Sequence, residues 1–314
     1  MEIEVSEQGL PVFEALASKV RINIIHLLAE RPMNIKDLAQ ALGLSSAIMT
    51  MHIKKLQAAH IIRTEMIPGK GGKKKMCFLN VDKMVILFPE VKRLKRTYHQ
   101  MDIPVGHFSD FDVRPTCGLA TVEKIIGTFD DPRCFMSPER VDAKILWFGQ
   151  GFLEYKVPNY LLRSEVPEEL EISMEISSEA PFSNSNWPSD ISFFLNGVYL
   201  GKWTSPGDFG GYRGRFTPDW WDININQYGL MKILRINENG CFIDSEKISD
   251  VTLDQLNVEQ PQWHFRIAVL EDAENLGGLT LFGANFGNYD QDLRFRLYYT
   301  RKKHERTGRH SARA

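Results

Sequence analysis

The sequence predicts a chain of two unlike parts: a small, mainly helical α+β module with one β-hairpin, then a larger all-β sandwich or jelly roll. Three observations predict it. Apolar residues recur at helical spacing through roughly the first 60 positions. Beyond about residue 101, short apolar runs alternate with Pro, Gly, Asn and Asp. The charge divides with the texture. Residues 1–100 hold 16 Lys+Arg against 9 Asp+Glu, a net of +7. Residues 101–314 hold the other 22 against 31, a net of −9, and the two sum to the −2 of the 314-residue chain.

The helical part comes first. Phe13, Leu16, Ala17, Val20, Ile24, Leu27 and Leu28 form one apolar stripe, which predicts a helix over residues 12–31 ended by Pro32. Asn34 caps a short helix that stops at Leu42, and Gly43 makes the turn. A third helix starts at Ser45 or Ser46 and runs to about Ala59. Segments 61–67 and 76–79 then flank Pro68-Gly69-Lys70-Gly71-Gly72 and read as a hairpin. Residues 81–88 are expected to return to helix. Residues 89–100, with Lys92, Arg93, Lys95 and Arg96, are expected to form a charged helical connector.

The β part rests on at least eight apolar runs, at 143–148, 152–157, 170–176, 191–195, 230–236, 263–270, 278–282 and 293–299. Asn196-Gly197 and Asn239-Gly240 mark hairpin turns. Helix is minor here, at 121–126 and near 253–256. The expected domain plan is 1–95 for the helical module, 96–142 for a connector and first strands, 143–300 for the sandwich, and 301–314 for a basic tail.

Two helices joined by a tight turn can present one of them to the major groove of DNA. Over residues 35–56, Ile35, Leu38, Ala39 and Leu42 give the first helix its apolar side, and Met49, Ile53 and Leu56 give the second its own. Ser46, Ala47, Thr50, Met51 and Lys54 fall on the opposite face of the second helix. Small residues at its start permit close approach to base edges, hydroxyls can hydrogen-bond, and Ala47 or Thr50 can meet a thymine methyl. Lys54, one turn later, suits a phosphate. Lys70, Lys73, Lys74 and Lys75 at the hairpin tip can lie along the backbone or minor groove as a wing.

The run from Ala17 to Leu28, then Ile35-Lys36-Asp37-Leu38-Ala39, then Leu44 to Leu56, resembles the ArsR-type winged helix-turn-helix repressors. The resemblance covers about residues 10–90. It implies a homodimer on an inverted-repeat operator in double-stranded DNA, with residues 46–55 as the recognition helix, so that Lys55 joins the DNA-facing set. The sequence departs from the metal-sensing members, since Arg31-Pro32-Met33-Asn34 holds no cysteine and a large domain replaces the terminal helix. No metal or cofactor is expected.

In the β part the richest stretch is 198–228. Trp203, Asp208, Tyr212, Arg213, Trp220 and Trp221 combine flat apolar faces with polar groups, a mixture that suits a sugar-like effector. The all-β texture also resembles carbohydrate-binding jelly rolls. Asn285, in a glycine-rich stretch at 277–292, is a further contact candidate. A dimerisation or protein-docking module is the alternative, and a carbohydrate-active enzyme domain a lesser one. His107, Asp110 and Asp112 alternate at a spacing that chance supplies. No nucleophile elbow, H-E-x-x-H or dinucleotide-binding glycine pattern occurs, so the chain is read as a non-enzyme. Four scattered cysteines, no leader-like apolar start and no long apolar run lead to the expectation of a cytoplasmic protein.

Overall fold

The computed structural model describes residues 1–69, 72–81, 84–88 and 96–302, with Gly69, Gly72 and Lys73 described by their backbone alone. The chain divides into two compact units, Met1–Leu94 and Lys95–Ala314.

The first unit runs β1 (Glu2–Glu4), α1 (Leu10–Leu16), α2 (Lys19–Glu30), β2 (Met33–Asn34), α3 (Ile35–Ala41), α4 (Ser46–Ala58), β3 (Ile62–Gly69), β4 (Gly72–Leu79) and β5 (Val85–Leu87). The single helix expected over 12–31 is two, broken at Ala17 and Ser18, and Ser18 is extended. The break is stabilised from the next helix. The buried Arg21 guanidinium donates to the carbonyls of Ala15 (2.6 Å) and Glu14 (2.7 Å), which the end of α1 leaves unpaired. Asn34 caps α3 as expected, its Oδ1 accepting from the Asp37 N–H at 3.0 Å.

The turn between α3 and α4 follows from Gly43 at φ +64°. Its N–H donates to Gln40 O and that of Leu44 to Ala39 O, a pair of bonds that closes the helix end and redirects the chain. Ile24, Leu28, Leu38, Met49, Ile53 and Leu56 are almost wholly buried together. Each such side chain stabilises by about 1.5–3 kcal/mol relative to exposure. The hairpin forms as expected, β3 pairing antiparallel with β4, and β2 adds a third strand through Met33 opposite Cys77. The helix expected over 81–88 is corrected. Val85–Leu87 pairs in parallel with β1, Ile3 opposite Ile86, because a distant N-terminal strand offers this β-rich run a ladder.

The second unit contains β6 (Thr97–Ile103), β7 (Asp110–Ala120), β8 (Ile145–Pro158), β9 (Glu165–Ser177), β10 (Ser189–Leu195), β11 (Val198–Ser205), β12 (Leu230–Asn237), β13 (Gly240–Ile243), β14 (Glu246–Ser249), β15 (Gln262–Val269), β16 (Leu279–Phe282) and β17 (Leu293–Arg301). One layer orders as β7-β8-β15-β10-β11 and the other as β6-β17-β9-β12-β13-β14, while β16 pairs with both β8 and β9 and joins them. The layers meet over an apolar core, where Phe265 of β15 contacts Phe295 of β17 edge-to-face at 5.4 Å. This is the expected β-sandwich, nearly closed along one side by β16.

Local outcomes differ in instructive ways. The runs at 143–148 and 152–157 are one long strand, β8. It continues through Gly151 (φ +115°), where a side chain would strike the Asp112 carbonyl of β7. Asn196 and Gly197, both at positive φ, make the β10–β11 turn as expected. Asn237 pairs with Gly240, so the second turn is Glu238-Asn239, one residue earlier than the sequence suggests. The helix expected at 121–126 is a turn, with Thr121 Oγ1 accepting from the N–H groups of Glu123 and Lys124. The one near 253–256 is a 3-10 helix, Leu253–Leu256. The start of the expected helical connector, residues 89–95, lies outside the described residues, and Thr97–Gln100 belongs to β6. Among the described residues no helix is long and apolar enough to cross a membrane.

Candidate nucleic-acid interface

Helix α4 is set by its own amphipathic period. Ser45 caps it, its hydroxyl accepting from the Ile48 N–H at 3.3 Å. Met49, Ile53 and Leu56 point inward and are fully or almost fully buried. Ser46, Ala47, Met51, Lys54 and Lys55 are exposed on the other side, with Thr50 half-buried beside them. Met51 is 63% exposed. Ile48, also exposed, joins this face and was missed by the sequence reading. Its signal was available, because position 48 lies one residue outside the 49, 53, 56 stripe.

Thr50 has a constraint that its identity alone does not give. Its hydroxyl donates to the Ser46 carbonyl at 2.7 Å. The proton is committed to the helix, and the oxygen presents lone pairs outward. His52 lies on the flank of α4, its Nδ1 3.4 Å from an Arg21 Nη. Partial burial, and then the charges of Arg21 and Lys55, hold the His52 pKa below its ordinary value. Since a guanidinium only donates, Nδ1 is the acceptor in this contact, which ties α4 to the α1–α2 break.

The hairpin adds Lys74 and Lys75, both exposed, opposite Ile67 and Met66. As neighbours on one strand they project to opposite faces, so each face of the wing carries a cation. Lys70 and the side chain of Lys73 lie outside the described residues.

The residues singled out in the β unit do not form one exposed constellation. Trp203 packs against the main core with the Lys232 ammonium 4.6 Å from its ring centroid. Trp221 is 2% exposed, edge-to-face with Trp147 (5.8 Å), Trp220 (5.4 Å) and Phe286 (5.2 Å), and its indole N–H donates to Asn226 O. The stacking role expected of Trp221 is therefore corrected to packing. Arg213, though exposed, donates to the carbonyls of Pro218, Asp219 and Trp221, so its guanidinium is engaged in holding the loop. Asp208 is fully buried, and the Ala180 N–H donates to its Oδ2. Tyr212 (81%) and Trp220 (43%) are at the surface, Trp220 anchored by its N–H to Val122 O. Asn285, exposed at φ +66°, donates its N–H to Asp290 in a tight turn. Among the described residues no group of three or more His, Cys, Asp and Glu could hold a metal ion.

Sequence reasoning also missed a row of buried acids along the outer face of β9. Glu171 sits between Arg235 and Arg296, its register partners on β12 and β17, at 3.0 and 3.4 Å. Further along, the cations end. Glu175 accepts from the backbone N–H groups of Gly229, Asn288 and Tyr289. Burial pushes its pKa up to about 7 against the pull of those donors. Glu179, just past the strand, accepts from Thr116, Asn226 and Thr280. Burial, and then the charge of Asp208, pushes Glu179 well up, and burial pushes Asp208 up to about 7. The alternation of Glu with Leu170, Ile172, Met174 and Ile176 signalled a two-faced strand. The loops that cover its polar face come from far along the chain.

Residues 18–64 match the family described as bacterial regulatory protein, arsR family. Over 54 residues the chain is 33% identical to an uncharacterized HTH-type transcriptional regulator of Methanocaldococcus jannaschii, covering 17% of this chain and 57% of that one. Over 53 residues it is 34% identical to the HTH-type transcriptional regulator KmtR of Mycobacterium tuberculosis, covering 17% and 41%. The chain thus spans about half the length of the curated relatives it matches. Among solved structures, a carbohydrate-binding module, CBM36, in complex with calcium and xylotriose aligns with 64% of this chain and 99% of its own, at 8% identity and a TM-score of 0.26. The first unit therefore contains an arsR-type helix-turn-helix, to which the larger all-β unit is joined.

Proposed function

We propose that this chain is a transcription regulator that binds double-stranded DNA through α4 and the β3–β4 wing, as a homodimer on an inverted repeat, in the cytoplasm, with the β unit as the effector-responsive part. One observation carries the DNA reading. The face of α4 opposite its buried Met49-Ile53-Leu56 stripe is exposed, small at its start and cationic at its end, and a lysine-bearing hairpin follows it. Hydroxyls and apolar groups at Ser46, Ala47, Ile48, Thr50 and Met51 suit base edges, while Lys54, Lys55, Lys74 and Lys75 suit phosphates. The test is selection of duplexes from a random pool by the full chain. An enriched inverted repeat, with half-sites about 34 Å apart, is expected. Recovery of no common sequence would remove the reading.

A saccharide as the effector is supported by the exposed Trp220 and Tyr212 with the exposed Asp219 carboxylate between them in sequence. A ligand of the folded state raises the melting temperature. The expected result is a rise with one sugar class that Trp220→Ala abolishes. A flat screen would leave the β unit as a dimerisation or docking module.

A further inference from the structure

A groove of about 1300 Å³ opens on the β unit, between the start of β9, the β12–β13 turn and the segment around the Leu253–Leu256 3-10 helix. Among the described residues its charged lining is five acids to one base: Glu168, Glu169, Glu238, Asp254 and Glu259 against Arg96. Arg96 is engaged by Glu169 at 2.7 Å and Glu168 at 3.6 Å. Glu238, Asp254 and Glu259 are exposed and, among the described residues, form no ion pair. Amides and hydroxyls complete much of the wall, and among the described residues no aromatic ring lines it. Such a surface offers nothing for a sugar ring to stack on, and it favours an extended ligand carrying several cations.

The chain itself supplies one. A smaller depression shares Arg96, Glu168 and Thr300 with the groove and extends it to Arg301, the last residue of β17. Lys302 continues along the same edge, its N–H donating to Ser164 O at 2.9 Å and its ammonium to Arg163 O at 3.1 Å. Beyond it come residues 303–314, in which Lys303, Arg306, Arg309 and Arg313 stand against Glu305, a net of +3 with His neutral. Twelve residues can span up to roughly 40 Å when extended. A segment tethered at the end of a groove also meets it at an effective concentration on the order of millimolar.

We propose that this groove is the docking site of the chain's own residues 303–314, whose Lys and Arg side chains face Glu238, Asp254 and Glu259. Docked there, the segment's positive charge is neutralised within the β unit and withheld from polyanions.

A fluorescent peptide of sequence 303–314 tests this by anisotropy, at about 50 mM salt, where screening is weak. It is titrated with the full chain and with a chain ending at Lys302. The shortened chain should bind the peptide, and the full chain at least tenfold more weakly, because its own segment competes. Glu238→Gln, Asp254→Asn and Glu259→Gln together, in the shortened chain, should weaken binding tenfold or more without lowering the melting temperature. Equal binding by the full and shortened chains, or by the shortened chain with and without the three changes, would overturn the proposal. So would a shortened chain that ignores the peptide and binds duplex DNA more weakly than the full chain, which would assign the segment to DNA.

Discussion

Helix α4 and the aromatic loop at 206–221 draw on similar materials: hydroxyls or carboxylates, long cations and large apolar groups. They use them in opposite directions. On α4 the buried stripe is fully apolar, and the polar and cationic groups are left at the surface. In the loop, Arg213 folds back onto three carbonyls, the Trp221 N–H is satisfied inside, and Asp208 is buried, so most of the polar capacity is used internally. A short regular element finds its backbone partners within itself and leaves side chains available. A long irregular segment must recruit its side chains to satisfy its own backbone. The α4 face therefore keeps its polar and cationic side chains at the surface, and the loop is principally part of its own support.

The largest expected effect tests the loop side of that contrast. Trp221→Ala should destabilise the β unit by about 3–5 kcal/mol, the cost of removing a buried tryptophan. Tyr212→Ala, at the surface, should stay within about 0.5 kcal/mol. Urea unfolding followed by fluorescence measures both. A Trp221→Ala chain as stable as the parent would return Trp221 to the ligand-facing set.

The second effect concerns the cation-free carboxyls behind the loop. Glu175 and Asp208 have folded pKa values raised to about 7, above those of the unfolded chain. Between about pH 4 and 7 the folded state therefore binds protons that the unfolded state has released. Stability conferred by these groups is present at the acidic end of that window and is lost as the pH rises. The decline is at most about 4 kcal/mol per group, from 1.36 kcal/mol per pKa unit. Asp190 works in the opposite sense. Bonds from Lys202, Thr204 and Asn275 outweigh its burial and hold its pKa down to about 2, so its contribution is lost as the pH falls below 4. Asp208→Asn should flatten the fall between pH 5 and 8 while leaving the acid limb in place. An unchanged slope over that window would show that Asp208 does not carry a proton there.

The same contrast explains what could be read from the sequence. The α4 face was legible because a 3.6-residue period assigns every position to a side, and the Asn34 and Gly43 signals fixed where the helices end. The β-sandwich was legible as a set of runs separated by turn residues. Strands whose partners are remote were not. Val85–Leu87 becomes β5 only because Glu2–Glu4 lies beside it, and no local pattern states that. Nor does a local pattern state that Glu175 will be sealed by Asn288 and Tyr289, more than 100 positions away. The loop residues Arg213 and Trp221 read as binding chemistry because composition does not reveal which way an irregular segment turns its side chains.

On the α4 side the expected effects are smaller and appear in binding. Lys54→Ala, Lys55→Ala, Lys74→Ala and Lys75→Ala should each flatten the dependence of log K on log salt by about 0.9 where the lysine neutralises a phosphate. Anisotropy with the selected duplex between about 50 and 200 mM salt measures the slope. The changes should leave urea stability nearly unaltered, since all four side chains are exposed and none forms an ion pair among the described residues. A slope unchanged in all four variants would detach the helix and wing from the backbone of DNA.

The smallest effect is the most specific. With its proton on the Ser46 carbonyl, the Thr50 hydroxyl can only accept, and the groups that donate in the major groove are the amino groups of adenine and cytosine. Thr50→Val preserves the shape and removes the acceptor, so preference for A or C at one position should relax by about 1 kcal/mol or more while overall affinity changes little. Thr50→Ser retains the oxygen and should retain the preference. Comparison of the selected duplex with its single-base variants for all three chains reads this directly. A valine chain that still prefers A or C would show that the Thr50 oxygen does not read the base.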